Sequence, residues 1–382
     1  ALPMGGLVLS RLTMPLVTPP AAPIVTPFTH AAQPTRPDGA MTEHVADDLL
    51  ANDLTLTAVT TINPTVYKLS LRRNTREFAA KWKPLGSEGS EEQEGFDGNN
   101  APRCELAARR IDRWLSGHDP RRQLVPEVVV RALHRNVPCD RPCQAVPKLI
   151  GAEFPPTFPM QNDHLVLGAL SEWIEEADMP TRFQGGLWNP QRFAGDPEYR
   201  RSIADLVTFL FLIAHGDANY ADNFLVSRHP PFRAYSIDNG RSLDGIPFYT
   251  EEGDPDWQPL AQLTPQSLLV PSLSRQRLSR IALLPQSSLP KELRLLSAID
   301  LRSGRVVSDP TTEPLLTAFV GRPLSEMAAL RRVSRQSYLT TSSNSTGPWL
   351  LLGLSAKGIA DLLQRAQALI SHQRNTNIPL FD

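Results

Sequence analysis

The sequence predicts an α+β fold of two lobes, a small β-rich lobe followed by a larger, mostly helical one. Three observations predict it. Residues 54–61, 66–71 and 77–82 are rich in Thr, Val and Leu and read as three consecutive strands, an antiparallel meander. Residues 105–116 and 197–214 carry apolar side chains at helical spacing. Between residues 215 and 240, two short apolar runs alternate with His-Gly-Asp and Asp-Asn-Gly, a pattern of brief strands and tight turns. The expected organisation is an irregular N-terminal extension over 1–40, a first lobe over 41–170 and a second over 171–382.

Residues 1–40 are rich in Pro, Thr and Ala and poor in charge. The numbering opens at Ala1, which fits a processed mature N-terminus, the edge of an expressed fragment or the remnant of a leader. A short helix is expected over 41–52. Asn63-Pro64 marks the first strand turn and residues 72–75 the second. Alternation along the third strand puts Lys81 and Lys83 on one face. There they are either a solvated pair or a source of one ammonium for nucleotide phosphates. A polar, acidic, Gly-rich loop over 85–102 leads to the helix 105–116. Its Ala107, Ala108, Ile111, Trp114 and Leu115 share helical spacing. Glu105, in the first turn, either pairs with the strand-three lysine or favours the helix N-terminus electrostatically. Residues 124–126 and 128–133 read as buried strand or helix, and 163–170 as a strand followed by Ser171, Glu172, Trp173 and Ile174.

Helix 197–214 is expected to bury Ile203, Leu206, Val207, Leu210, Phe211 and Ala214 on one face and to fix the stretch after it. That stretch is HGDANYADNFLVSRHPPFRAYSIDNG, residues 215–240. Each Asp-Gly or Asn-Gly in it is, alone, a turn signal. The order is more specific: helix, Asp217, Asn223, a strand over 224–226, a turn over 228–231, a strand over 234–237, then Asp238. Such a hairpin brings Asn223 and Asp238 to one edge. Phosphoryl transfer needs a carboxylate to orient the attacking hydroxyl and oxygen ligands for metal ions. Asp217 can be the first, and Asn223 and Asp238 the second.

After Gly240, residues 243–250 and 257–260 stand where an activation segment would. Helices are expected over 272–284, 292–296 and 315–332, the last broken near Gly321-Arg322-Pro323. Residues 341–347 read as a loop. A closing helix is expected over 355–371, with Ser355 as N-cap and Ile359, Leu362, Leu363, Ala366, Leu369 and Ile370 on one face. The net charge of -1 gives no global electrostatic case for nucleic acid or an anionic membrane. No run of eighteen apolar residues occurs, so no transmembrane helix and a soluble chain are expected. Its compartment stays open, with bacterial export or injection among the alternatives. Cys139 and Cys143 flank a turn-like Asp140-Arg141-Pro142 and leave Cys104 over; they read as a small-loop disulfide in an exported chain or as plain thiols. Together with His118 and His134 they match no common zinc spacing.

The order of a strand ending in Trp82-Lys83-Pro84, a helix opening CELAARRIDRWL, and then HGD, DNFLV and IDNG resembles an atypical kinase clan. That clan includes the secretory-pathway Golgi casein kinases, the type II phosphatidylinositol 4-kinases and their bacterial relatives. The resemblance covers roughly residues 54–245 and implies a bilobal protein kinase-like fold. It implies that Lys83, rather than Lys81, binds ATP, that Glu105 pairs with it, that Asp217 is the catalytic base, and that Asn223 and Asp238 hold Mg²⁺ or Mn²⁺. The 163–170 strand then takes the place of the hinge that contacts adenine. Two departures stand out. Asp217 and Asn223 lie six positions apart where the usual kinase loop has five, so one residue bulges or Asn219 replaces Asn223. The first hairpin turn, residues 60–65, has no glycine, so its backbone cannot approach phosphates as closely, and Thr60, Thr61 or Thr65 would supply contacts instead. The implied activity is ATP- and metal-dependent transfer of the γ-phosphate to a hydroxyl acceptor, a protein or a small molecule. The alternatives are a nucleotide-binding pseudokinase acting as an interaction module and an AMP transferase.

Overall fold

Residues 55–84 carry β-branched and aromatic side chains interrupted twice by turn residues, so they fold back on themselves. The computed structural model describes residues 45–51, 53–63, 66–84, 102–134, 165–179, 190–215, 223–243, 248–249, 255–256, 272–300, 305–314, 316, 339–341 and 348–382. It shows β1 (Thr55–Asn63), β2 (Val66–Arg73) and β3 (Arg76–Pro84) as an antiparallel meander. The strands extend past their expected ends because pairing continues to Arg73 opposite Arg76. The turn between them needs a left-handed residue, and Asn74, at φ 53°, supplies it. The short N-terminal helix is α1 (Val45–Leu50), and residues 41–44 lie outside the described residues. Residues 1–40, the expected N-terminal extension, also lie outside the described residues.

The run around residue 130 is a strand, β4 (Val128–His134), and β5 (Leu165–Glu172) takes in Ser171 and Glu172, which were expected to follow the strand. The sheet order is β1-β2-β3-β5-β4, antiparallel throughout. Its two faces differ sharply. Leu69, Leu71, Ala80, Trp82 and Leu170 pack with Val45 and Leu49 of α1 into one core. On the opposite face, cross-strand pairing sets Lys68 beside Lys81 and Lys81 beside Ser171, with Lys83 two positions on. Gly168 pairs with Pro84, and a Cβ there would stand 2.4 Å from the Lys83 carbonyl oxygen. The glycine therefore lets β5 close on the part of β3 that carries Lys83.

Helix α2 (Pro102–Leu115) starts ahead of the expected Glu105, with proline in its first turn, where a missing N–H costs nothing. Cys104, Ala107, Ala108, Ile111 and Leu115 are buried in a second core. Its centre is α4 (Pro197–Ile213), which follows α3 (Pro190–Gly195). Asp196 caps α4 by accepting from the amides of Glu198 and Tyr199, both at 3.0 Å, and Pro197 fills the first turn. Burial of α4 is wider than a single face: Phe209, Leu212 and Ile213 are buried as fully as Ile203, Leu206 and Leu210, whereas Val207 and Ala214 are only half-buried. A helix apolar all round belongs inside a core.

β6 (Ala177–Asp178), β7 (Phe224–Ser227) and β8 (Ala234–Ser236) form a three-stranded sheet with the expected β7–β8 hairpin. Then come β9 (Phe248–Tyr249), β10 (Pro255–Asp256) and β11 (Leu273–Ser274), with Ser274 capping α5 (Arg275–Leu283). The helix expected over 292–296 instead ends at Glu292, as α6 (Leu289–Glu292). Leu296 turns away because its amide donates to the Leu352 carbonyl at 2.7 Å, entering a sheet. That sheet was not expected: β12 (Ser297–Asp300), β13 (Val306–Val307), β14 (Leu339–Thr341) and β15 (Pro348–Leu352), in the order β13-β12-β15-β14. Runs this short give periodicity too little to act on. The C-terminal part of the chain thus adds a four-stranded sheet to its helices. The closing helix is α7 (Ala356–Thr376), capped by Ser355, whose hydroxyl accepts from the Gly358 amide at 3.0 Å. Ile359, Leu362, Ala366, Leu369 and Ile370 are buried as expected. After it, β16 (Leu380–Phe381) pairs with β11 in parallel. The segments expected over 317–332 and 257–260, and most of 243–250, lie outside the described residues. The secondary structure is mixed, in line with the α+β class, and no helix among the described residues is long and apolar enough to cross a membrane.

Candidate functional site

Three segments far apart in the chain meet on the lysine-bearing face of the first sheet. Lys83 on β3 is buried, and so is Glu105 in the first turn of α2. The Lys83 ammonium lies 3.5 Å from Glu105 Oε1 and 2.7 Å from Asp238 Oδ1. Lys81 Nζ pairs with the same Oδ1 of Asp238. The structure thus brings Lys83, Glu105 and Asp238 together. Both lysines reach Asp238, because residues two apart on a strand point the same way.

The Asp238 turn is held from several sides. The amide of Ile237 donates to the Asn223 carbonyl at 2.9 Å, extending the β7–β8 ladder to the residue before Asp238. His215 is fully buried, and its Nε2 donates to the Ile237 carbonyl at 3.1 Å. This bond and the one from the Leu243 amide to the Ile213 carbonyl at 2.6 Å tie the turn to the end of α4. Asp238 sits at φ 58°, a left-handed conformation that aspartate tolerates better than most residues. Asn239 is the residue that sequence reading passed over. Its amide donates to Glu105 Oε2 at 3.1 Å, so one carboxylate joins the turn to Lys83. Its side-chain oxygen accepts from the Ser236 hydroxyl at 2.6 Å, and its carbonyl accepts from the Ser242 hydroxyl at 2.6 Å. The Asp-Asn-Gly signal marks the turn but not that its second residue locks a distant helix.

Burial alone would raise the Asp238 carboxyl. The ammonium groups of Lys81 and Lys83 outweigh it and hold the group well below the usual carboxylate range. For Lys83 burial opposes the charge, yet Asp238 and Glu105 keep its pKa raised. Asp238 and Lys83 are therefore both charged at neutral pH. The oxygen donors of the site, a carboxylate at Asp238 and an amide at Asn223 one ladder step away, suit a hard cation that takes its remaining ligands from phosphate and water. No group of three or more His, Cys, Asp or Glu side chains poised for a metal occurs among the described residues.

Asp217 and Asn219 lie outside the described residues, as do Thr65, Cys139 and Cys143. The chain enters that segment at His215 and leaves it at Asn223, both close to Asp238 along the backbone bonds above. Thr60 and Thr61 are exposed on β1, and Cys104 is buried.

At the end of β5 sits a second electrostatic feature. Burial pushes the Glu172 carboxyl up to about 7, against a backbone bond from the Glu127 amide and the charge of Arg109. A raised pKa means that folding favours the protonated form. Its stabilisation is therefore complete below about 4.5 and is lost as pH rises to about 7. Glu172→Gln should melt close to the parent at pH 5 and above it at pH 8. Parallel melting profiles for the two proteins across that range would contradict this.

No protein-family model matches the chain, and no curated protein matches it either.

Proposed function

We propose that this protein is an ATP- and metal-dependent phosphotransferase of the atypical kinase type, acting on a hydroxyl acceptor. The observation that carries this reading is the cluster of buried Lys83 and Glu105 with half-buried Asp238, drawn from a strand, a helix and a turn, with Asn223 beside it. Phosphoryl transfer asks a protein chiefly for positioning and charge, and these residues provide both. Lys83 would bind the nucleotide phosphates, with Glu105 holding its ammonium in place. Asp238 and Asn223 would hold Mg²⁺ or Mn²⁺, which neutralises charge on the phosphates when bound. Asp217 would orient the acceptor hydroxyl and take its proton as the oxygen bonds to the γ-phosphorus. The bond from that phosphorus to the β-phosphate oxygen then breaks, and ADP leaves. The five-stranded sheet with one helix against its lysine face, and a second core built on α4, support a bilobal kinase-like arrangement.

The test is turnover of labelled ATP with Mg²⁺ or Mn²⁺, alone and with candidate protein and small-molecule acceptors, looking first for autophosphorylation. Asp217→Asn should keep nucleotide affinity, read by calorimetry, and lower turnover by about 10²-fold or more. A variant as fast as the parent removes Asp217 from the mechanism. Nucleotide binding without turnover in the parent points to the pseudokinase alternative, and a product heavier by AMP points to the transferase.

A further inference from the structure

On the cleft face, three lysines stand in neighbouring positions, and their counter-charges are unevenly shared. Lys83 has two carboxylates, Glu105 and Asp238. Lys68, the cross-strand neighbour of Lys81, lies 3.5 Å from Glu175 and 4.4 Å from the centroid of the Trp173 ring. Lys81 shares Asp238 Oδ1 with Lys83, and its other neighbours across the strands are Lys68 and Ser171. Like charges directly across strands repel, so the Lys81 ammonium is stable where it is only while Asp238 is there to receive it.

A divalent cation at Asp238 changes that balance. Two ammonium groups and a metal cannot all sit on one carboxylate, because the repulsion among them is strong at such range. Lys83 keeps Glu105, which is itself held by the Asn239 amide, so Lys83 can stay. Lys81 is the one that must move, and the cleft face around it offers further lysines. An anion brought in by the ligand resolves this. The first hairpin turn makes such help useful. It lacks glycine, and Pro64 has no amide to donate, so phosphates are better held from the strand floor than from the turn.

Resting on the phosphotransferase reading, we propose that Lys81 is a second phosphate-binding lysine, which neutralises Asp238 in the free protein and passes to the ligand's phosphate groups when a metal takes Asp238. Metal and polyphosphate binding are thereby coupled through one side chain. The ligand class is a polyphosphate, as in a nucleoside triphosphate, whose linked phosphate groups can reach Lys81, Lys83 and a metal at Asp238 at once.

The test is calorimetry on the parent, Lys81→Met, Lys81→Gln and Lys81→Arg with three probes: Mn²⁺ alone, Mn²⁺·ATP, and Mn²⁺ with inorganic tripolyphosphate. Both neutral variants should bind Mn²⁺ alone about threefold or more tighter, having lost the competing cation. They should bind both polyphosphates about ten- to a hundredfold more weakly, the loss expected for one charged contact. Lys81→Arg should stay near the parent in all three. Lys81→Gln keeps the length and polarity of the chain, so a folding defect confined to Lys81→Met leaves the test intact. Unchanged polyphosphate affinity, or unchanged Mn²⁺ affinity, in a folded neutral variant overturns the proposal and leaves the phosphotransferase reading standing. Binding of tripolyphosphate but not ATP, with the Lys81 dependence intact, does the opposite. A parent that binds neither polyphosphate overturns both.

Discussion

Replacing Asp238 with alanine should lower phosphoryl transfer on the order of 10³-fold or more and weaken nucleotide binding only when a divalent metal is present. The asymmetry follows from the ion pairs. Among the described residues, Asp238 is the carboxylate that lies on the hairpin edge beside Asn223 and also contacts both lysines. Without it, metal loses its charged ligand. Lys81 and Lys83 are released toward the cleft at the same time, so metal-free ATP should bind at least as tightly as to the parent. Lys83 keeps Glu105 at 3.5 Å, so the fold should survive the change. Calorimetry with and without Mg²⁺, together with a turnover assay, reads both effects. Parent-like turnover in the variant would exclude Asp238 from the chemistry.

Asp112→Ala should cost about 3–5 kcal/mol of stability, the loss typical of breaking a buried ion pair. Asp112 is fully buried near the end of α2. Its Oδ2 accepts from the amides of Leu124 at 2.6 Å and Val125 at 2.9 Å, and its Oδ1 from Arg277 Nη2 at 3.0 Å. Arg277, on α5, is also buried, and its other partners lie farther away, Asp205 at 3.4 Å and the Arg122 carbonyl at 3.3 Å. Alanine would strand a buried guanidinium and two buried amides together. Urea denaturation should show a lower midpoint with an unchanged slope. A loss below about 1 kcal/mol would mean that the network can be rebuilt around the gap, contrary to the burial seen. Because α2 also carries Glu105, partial release of the helix should loosen Lys83, and nucleotide affinity should fall with stability.

Local pattern alone determined much of this architecture. Residue type marked β2 and β3, turn residues marked the β7–β8 hairpin, helical spacing marked α2, α4 and α7, and Ser355 marked the cap of α7. These signals act over a few residues, so one chain segment holds all the information they need. The approach of Lys83 to Glu105 was legible through the resemblance, whereas the ion pair of Lys83 with Asp238 was not.

Other features were decided only by the tertiary structure. The burial of α4 on nearly all sides depends on which elements surround it, and an amphipathic reading of its sequence sees only the strongest face. The sheet of β12 to β15 is built from runs of two to five residues, too short for any period, and pairing between distant segments made them strands. The choice between Lys81 and Lys83 could not be made from the strand, since alternation points both the same way. The position of Asp238, set by a left-handed turn locked through Asn239 to Glu105, is what draws both ammonium groups to one oxygen. Electrostatic partnership depends on distance in space, which a sequence leaves open until the chain has folded.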